Sequence, residues 1–241
     1  HVSFKAERIF KTYLTRNVRV YHSVLDRHLY NDEDSVIARR GEYASGAEIR
    51  LGQQIARLGT VSAALIVEEV EYRHETVPET EEHFGLRILE LESLVETFDR
   101  VPFPQSGKKY YFELQQAGKL LGGETEFTRF FASAESYFPL GEYLTYRPRI
   151  AVGMSRPDLP WSEKFYLGGM DSLAGVRTHQ LAGDRMFVLS NEMRIRLPLR
   201  FFLTGRYDIG EVWGSTDEVK VSTLRHGGGV FLSFDSPIGP F

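Results

Sequence analysis

Four charged residues, Glu192, Arg194, Arg206 and Asp208, hold most of the chemistry this 241-residue sequence offers. They fall in two segments of strict alternation. Across 186–197, Phe187, Leu189, Met193, Ile195 and Leu197 share one parity, while Ser190, Glu192, Arg194 and Arg196 share the other. Across 201–213, Leu203, Tyr207, Ile209 and Trp213 oppose Thr204, Arg206 and Asp208. A period of two sends successive side chains to opposite faces, so each segment reads as a strand with one greasy and one ionic face. Carboxylates facing guanidiniums make ion pairs and charge-assisted hydrogen bonds; they do not by themselves cleave bonds. With Arg147 and Arg149 from an earlier segment, the ions are too many for a dry core, where each would carry a large desolvation cost. In a water-filled interior they cost little.

Between the two groups of strands lies Phe165–Gly183, F-Y-L-G-G-M-D-S-L-A-G-V-R-T-H-Q-L-A-G, which has little periodicity. Three of its four glycines, Gly168, Gly169 and Gly175, suit a loop that folds back against the ionic face. Other chemistries are set aside. Ser172 is flanked at two residues by Met170 and Ala174, so no G-x-S-x-G nucleophile elbow forms. Gly168-Gly169 lacks the Lys-Ser/Thr of a phosphate loop. None of the seven histidines stands in a metal spacing. Glu68-Glu69 and Glu90, Glu92 and Glu96 read as solvated or luminal charge. No catalytic residue, metal or cofactor is expected.

Composition narrows the class. A net charge of −4 leaves no basic footprint for nucleic acid. The absence of cysteine excludes a disulfide framework and thiolate metal sites. No apolar run reaches the roughly 18 residues of a membrane helix. A spanning β-strand needs only about 9–11 residues with every second one apolar, so a membrane stays open. The sequence carries no signal peptide and starts mid-pattern at His1-Val2-Ser3-Phe4, as expected of a fragment or a mature segment.

Twelve strand-like segments are read at about 1–14, 17–30, 35–44, 47–57, 60–73, 84–99, 106–118, 124–139, 143–155, 186–198, 201–213 and 224–236. The pattern slips at Glu68-Glu69, where a bulge would restore phase. Glu75–His83 is a polar loop, and Ser236-Pro237 a turn. From Pro139 onward the connections alternate short and long, the habit of outer-membrane barrels with trimmed periplasmic turns and elaborated external loops. Trp161 and Trp213 stand at strand ends, where an aromatic girdle would place them. The fold expected over residues 1–241 is one all-β domain, an antiparallel transmembrane β-barrel with the long loop in its lumen. A soluble all-β binding module is the alternative.

Several stretches in order resemble the bacterial surface antigen family, the barrel domain of BamA/TamA-type outer-membrane assembly and translocation proteins. They are Thr97-Phe98-Asp99 with Pro102-Phe103-Pro104-Gln105-Ser106-Gly107, then Tyr166-Leu167-Gly168-Gly169 through Gly175, then Ser190-Asn191-Glu192-Met193-Arg194. Tyr207-Asp208-Ile209-Gly210-Glu211-Val212-Trp213, and Gly227-Gly228-Gly229 leading to Ser236-Pro237-Ile238-Gly239-Pro240, complete the set. The resemblance implies a barrel of about sixteen strands, of which this chain holds about twelve with two more at each end. It also implies a bacterial outer-membrane location among its lipids, preceding POTRA modules, and a client polypeptide or fused passenger as partner. The sixth external loop is implied to enter the lumen.

One departure bears on the site. The family's loop tip, Val-Arg-Gly-Phe, supplies an arginine to luminal acids on the next two strands; here Leu173-Ala174-Gly175-Val176 stands in its place. By position the acids are Glu192 and Asp208. A desolvated acid deprived of its partner costs several kcal/mol, so Arg177, Arg194 or Arg206 is expected to take over. An arginine-less tip also resembles barrels fused behind patatin-like phospholipase domains, which leaves a membrane anchor for such an enzyme as a second functional reading.

Overall fold

A computed structural model describes residues 2–6, 14–30, 36–55, 59–74, 82–156, 159–236 and 239–240. Its strands are β1 (Val2–Ala6), β2 (Leu14–Tyr30), β3 (Val36–Ile55), β4 (Gly59–His74), β5 (Glu82–Glu96), β6 (Gly107–Ala117), β7 (Phe127–Pro139), β8 (Leu144–Arg156), β9 (Phe165–Leu167), β10 (Leu181–Gly183), β11 (Arg185–Arg196), β12 (Phe201–Trp213), β13 (Arg225–Ser236) and β14 (Gly239–Pro240). Twelve of them follow chain order in one sheet, β1 to β8 and then β11 to β14, while β9 and β10 pair in a ribbon of their own. The ladders β1–β2, β2–β3, β3–β4, β8–β11, β11–β12, β12–β13, β13–β14 and β9–β10 are all antiparallel. No helix among the described residues is long and apolar enough to cross a membrane. His1, residues 7–13, most of the 75–83 loop, and Pro237 in the late turn lie outside the described residues.

Two segmentations are corrected. The segments read separately as 35–44 and 47–57 are one strand, β3, paired without a break to β4 from Arg40–His74 to Ile55–Gly59. The gap left at Ser45-Gly46 is strand as well, and Gly46 serves a packing purpose there. A Cβ there would sit 2.8 Å from the Tyr21 ring, so the glycine leaves room for the tyrosine of β2. Nor is there a bulge at Glu68-Glu69, since the β3–β4 register runs through it unshifted. The outward positions simply turn polar beyond Val67, at Glu69, Glu71 and Arg73. A strand of 16 residues spans about 53 Å at 3.3 Å per residue. That outruns a hydrocarbon layer of about 30 Å even at a steep tilt, so the outward face of its end can be polar while Val70 and Tyr72 stay buried on the other.

The chain forms two compact units. The first comprises 1–93, 113–130 and 155–164. Here Ile49, Leu51, Val61 and Leu65 point outward and stay exposed, while Glu48, Ser62, Ala64 and Glu90 are buried on the other face. Arg50 gathers this ionic face. It donates to Glu48 at 2.7 Å, Glu90 at 2.6 Å, Glu92 at 2.9 Å and Ser62 at 3.2 Å, and Gln115 covers the remaining oxygen of Glu90 at 2.8 Å. Trp161 does not belong to a girdle. It lies in the loop with the Arg40 guanidinium 4.6 Å and the Lys164 ammonium 4.8 Å from its ring, next to Ser162, whose N–H donates to Tyr72 Oη at 2.6 Å.

The second unit comprises 94–112, 131–154 and 165–241. Ile150, Met193, Ile195, Leu203 and Tyr207 are exposed, whereas Ser190, Arg194, Thr204 and Asp208 are buried. A small apolar core of Ala151, Leu167 and Val188 seats the loop's first strand against the sheet. Trp213 is also buried, its Nε1–H directed to Thr223 Oγ1 at 3.3 Å under the 214–224 loop rather than toward lipid.

Candidate functional site

The site is built where the 165–183 loop meets β12 and β13. Its two ends are clamped first. The Phe165 ring occupies the slot left by Gly153, where a Cβ would come within 2.6 Å of it. Gly183 runs equally close to the backbone of Trp213. Between them, β9 and β10 pair from Phe165–Gly183 to Leu167–Leu181. The tip then closes on itself. Gly169 N–H donates to Val176 O at 2.8 Å, and Ser172 Oγ bonds both the N–H and the carbonyl of Gly168 at 2.8 Å. Gly168 has φ +117, and a Cβ there would lie 1.9 Å from Arg177 O, so both backbone sign and space require glycine.

Asp208 receives the tip. It is fully buried (0% exposed), with Oδ2 accepting the Ala174 N–H at 2.8 Å and Oδ1 accepting Arg206 Nε at 2.8 Å. Arg206 stands two residues before Asp208 on the same face of β12. Its other nitrogens reach across to the loop, to Met170 O and, at 3.0 Å, to Ser172 O. Arg149 of β8 adds a bond to Asp171 O at 2.7 Å. Four backbone groups of the tip are thus held by three side chains of the sheet.

The register explains how the tip gets so close. Asp208 is paired with Gly227 across the β12–β13 ladder. A Cβ on Gly227 would lie 1.8 Å from the Ala174 carbonyl oxygen, so only a glycine lets the loop lie flat there. Gly175, at φ +86, turns the chain away immediately afterwards. Gly227 was not among the expected site residues, because nothing in the sequence says which β13 residue faces Asp208.

The arginine-less tip therefore meets its acid through the peptide N–H of Ala174, with the guanidinium supplied from the strand by Arg206. Glu192 takes a different partner from those expected. It is flanked across the ladders by Arg147 on β8 and Arg206 on β12. It accepts from Arg147 Nη1 at 3.0 Å, and Arg147 Nε also donates to Glu135 at 2.8 Å. Arg194 turns toward Pro104 O. Arg177 is exposed on the loop, its N–H donating to Gln180 Oε1 at 3.0 Å. The two predicted acids thus fall in separate ionic groups, Arg206–Asp208 under the loop and Arg147–Glu192–Glu135 beside it, and Arg177 and Arg194 join neither. No cluster of three or more His, Cys, Asp or Glu capable of holding a metal occurs among the described residues.

A long-stranded antiparallel sheet with an apolar outer face, an ionic inner face and a glycine-rich loop pinned to the latter defines an outer-membrane-type β-barrel domain. The Omp85 superfamily domain matches residues 2–241, and the chain belongs to that superfamily. It is an outer-membrane barrel of the Gram-negative type. Among solved structures it is similar to BamA from Haemophilus ducreyi lacking POTRA domains 1-3, at 14% identity and TM-score 0.83, over 99% of this chain and 56% of that one. It is also similar to CdiB from Acinetobacter baumannii, at 14% identity and TM-score 0.67, over 93% and 42%, and to CdiB from Escherichia coli, at 15% and 0.59, over 91% and 43%. At these identities the likeness shows the fold, and the chain spans about half the length of the structures it matches.

Proposed function

We propose that residues 1–241 act as one barrel domain of a protein that inserts or translocates polypeptide at the bacterial outer membrane. In this reading the domain has no enzymatic step of its own. Its working parts are the ionic inner face, which offers hydrogen-bonding groups to a polar chain, and the 165–183 loop, which occupies the space such a chain would use. Lipids surround the outer face, and periplasmic or passenger domains in the full-length protein deliver the client.

The observation that carries this reading is the double capture of Asp208, by the Ala174 N–H and by Arg206, against the notch at Gly227. A loop merely covering a surface has no need of a fully buried carboxylate. One that sets the state of a channel does, because a buried ion pair fixes position sharply and costs several kcal/mol if broken. The test is transfer of polypeptide by the full-length protein in proteoliposomes. Asp208→Ala and Arg206→Ala should change the rate of transfer while heat-modifiable migration on gels shows the barrel folded. Unchanged transfer in both variants, with the loop demonstrably loosened, would sink the proposal.

A further inference from the structure

We propose that the β5–β6 connection, residues 97–106, is a second closing element, a plug latched by Arg194 at the short-turn end of the sheet. A connection that only reverses the chain needs about two to five residues. This one is longer and folded. Asp99 Oδ1 accepts the N–H groups of Gln105 at 2.9 Å and Ser106 at 3.1 Å, and Arg100 Nε donates to Phe103 O at 3.1 Å. Phe103 is held at φ 58, in the left-handed region, which throws its ring out of the turn.

That ring lands on the sheet. Phe103 stacks on Phe202 of β12 with centroids 4.2 Å apart and planes 16° from parallel, although β7, β8 and β11 stand between β6 and β12 in sheet order. Arg194 completes the joint. It is buried (8% exposed), donates to Pro104 O, and lies 5.7 Å from the Phe103 ring, 5.3 Å from Tyr137 and 6.0 Å from Phe202. Glu192, two residues before it on the same face, is engaged by Arg147 instead. A guanidinium withdrawn from water and given to a turn carbonyl and three aromatic faces is placed to hold that turn.

Phe202 and Asp208 lie on one face of β12, six residues and so about 20 Å apart. The inner face of one strand therefore carries two separate closures, the turn at its start and the loop tip farther along. A chain passing over this face has to displace both. That last consequence rests on the transfer reading above; the latch itself does not.

Hydrogen–deuterium exchange on the full-length protein in detergent or liposomes tests it. In Arg194→Ala and in Phe103→Ser, the amides of residues 98–106 should exchange at least about tenfold faster, equivalent to about 1.4 kcal/mol of local opening, while residues 168–176 keep their protection. Planar-bilayer conductance should rise in the same variants. Equal exchange at 98–106 in wild type and both variants overturns the latch, as does equal acceleration at 168–176, which would mean general loosening. If Arg194→Ala does not fold, Phe103→Ser decides alone. Because exchange reads the turn without reference to polypeptide, the latch and the transfer function fail separately.

Discussion

Arg206 and Asp208 are neighbours on one face of β12, paired at 2.8 Å, and the same guanidinium continues to the carbonyls of Met170 and Ser172. The strand thus carries both halves of the ion pair, and the loop contributes backbone alone. The ion pair of the clasp therefore depends on side chains of the strand and on none from the tip.

Asp208→Ala should therefore open the tip. It leaves Arg206 buried without its acid and the Ala174 N–H without its acceptor, a local loss of about 3–5 kcal/mol. Trypsin cleavage after the exposed Arg177 should accelerate at least tenfold by that reckoning. Asp208→Asn keeps an acceptor for Ala174 and should be milder.

Gly227→Ala should displace the loop by crowding alone, since its Cβ would fall 1.8 Å from Ala174 O. Gly205→Ala on β12 is the control, because nothing lies within 4 Å of a Cβ built there. The first should match Asp208→Ala in trypsin sensitivity after Arg177, and the second should match wild type.

Arg147→Ala should weaken the sheet and spare the loop. It strands Glu135 and Glu192 facing one another, costing about 2–4 kcal/mol against urea, and Glu135→Gln in the same chain should recover part of that. Cleavage after Arg177 should stay at the wild-type rate. Acceleration would mean that Glu192 supports the loop after all.

Glu163 makes the loop's earlier limb sensitive to pH. Desolvation pushes its carboxyl up to about 7, opposed by Arg129 and reinforced by Glu68, Glu113 and Glu42. A folded-state pKa raised above the ordinary 4.5 gives a contribution present in full below 4.5 and lost as pH rises through about 7. Residues 159–164 should be better protected at pH 5.5 than at pH 8, by about 1–3 kcal/mol at most. Glu163→Gln should be protected equally at both; a pH difference that persists in that variant would refute the assignment.

The strands of the second unit were legible because Leu189, Met193, Leu203 and Tyr207 repeat at a period of two and their ionic neighbours take the other parity. Glu192 and Asp208 as inward acids followed from the same parity. What alternation cannot supply is register. Glu192 lies between Arg147 and Arg206 in the ladders, and which one it takes depends on Asp208 already holding Arg206. Gly227 was invisible for the same reason, and so was Arg194's attachment to a turn 90 residues earlier. In the first unit, a glycine kept for the Tyr21 ring fell in a gap between two segments, and a strand longer than the bilayer is thick looked like a slip in phase.

The β9–β10 ribbon pairs the two limbs of the loop with each other, from Phe165–Gly183 to Leu167–Leu181, without using the sheet. Such a cartridge can be withdrawn as a solid piece, with only the tip groups held by the sheet left to be hydrated. The work of emptying the channel then falls on a few point contacts at Asp208, Arg206 and Arg149, and its rate can be tuned there without remaking the loop.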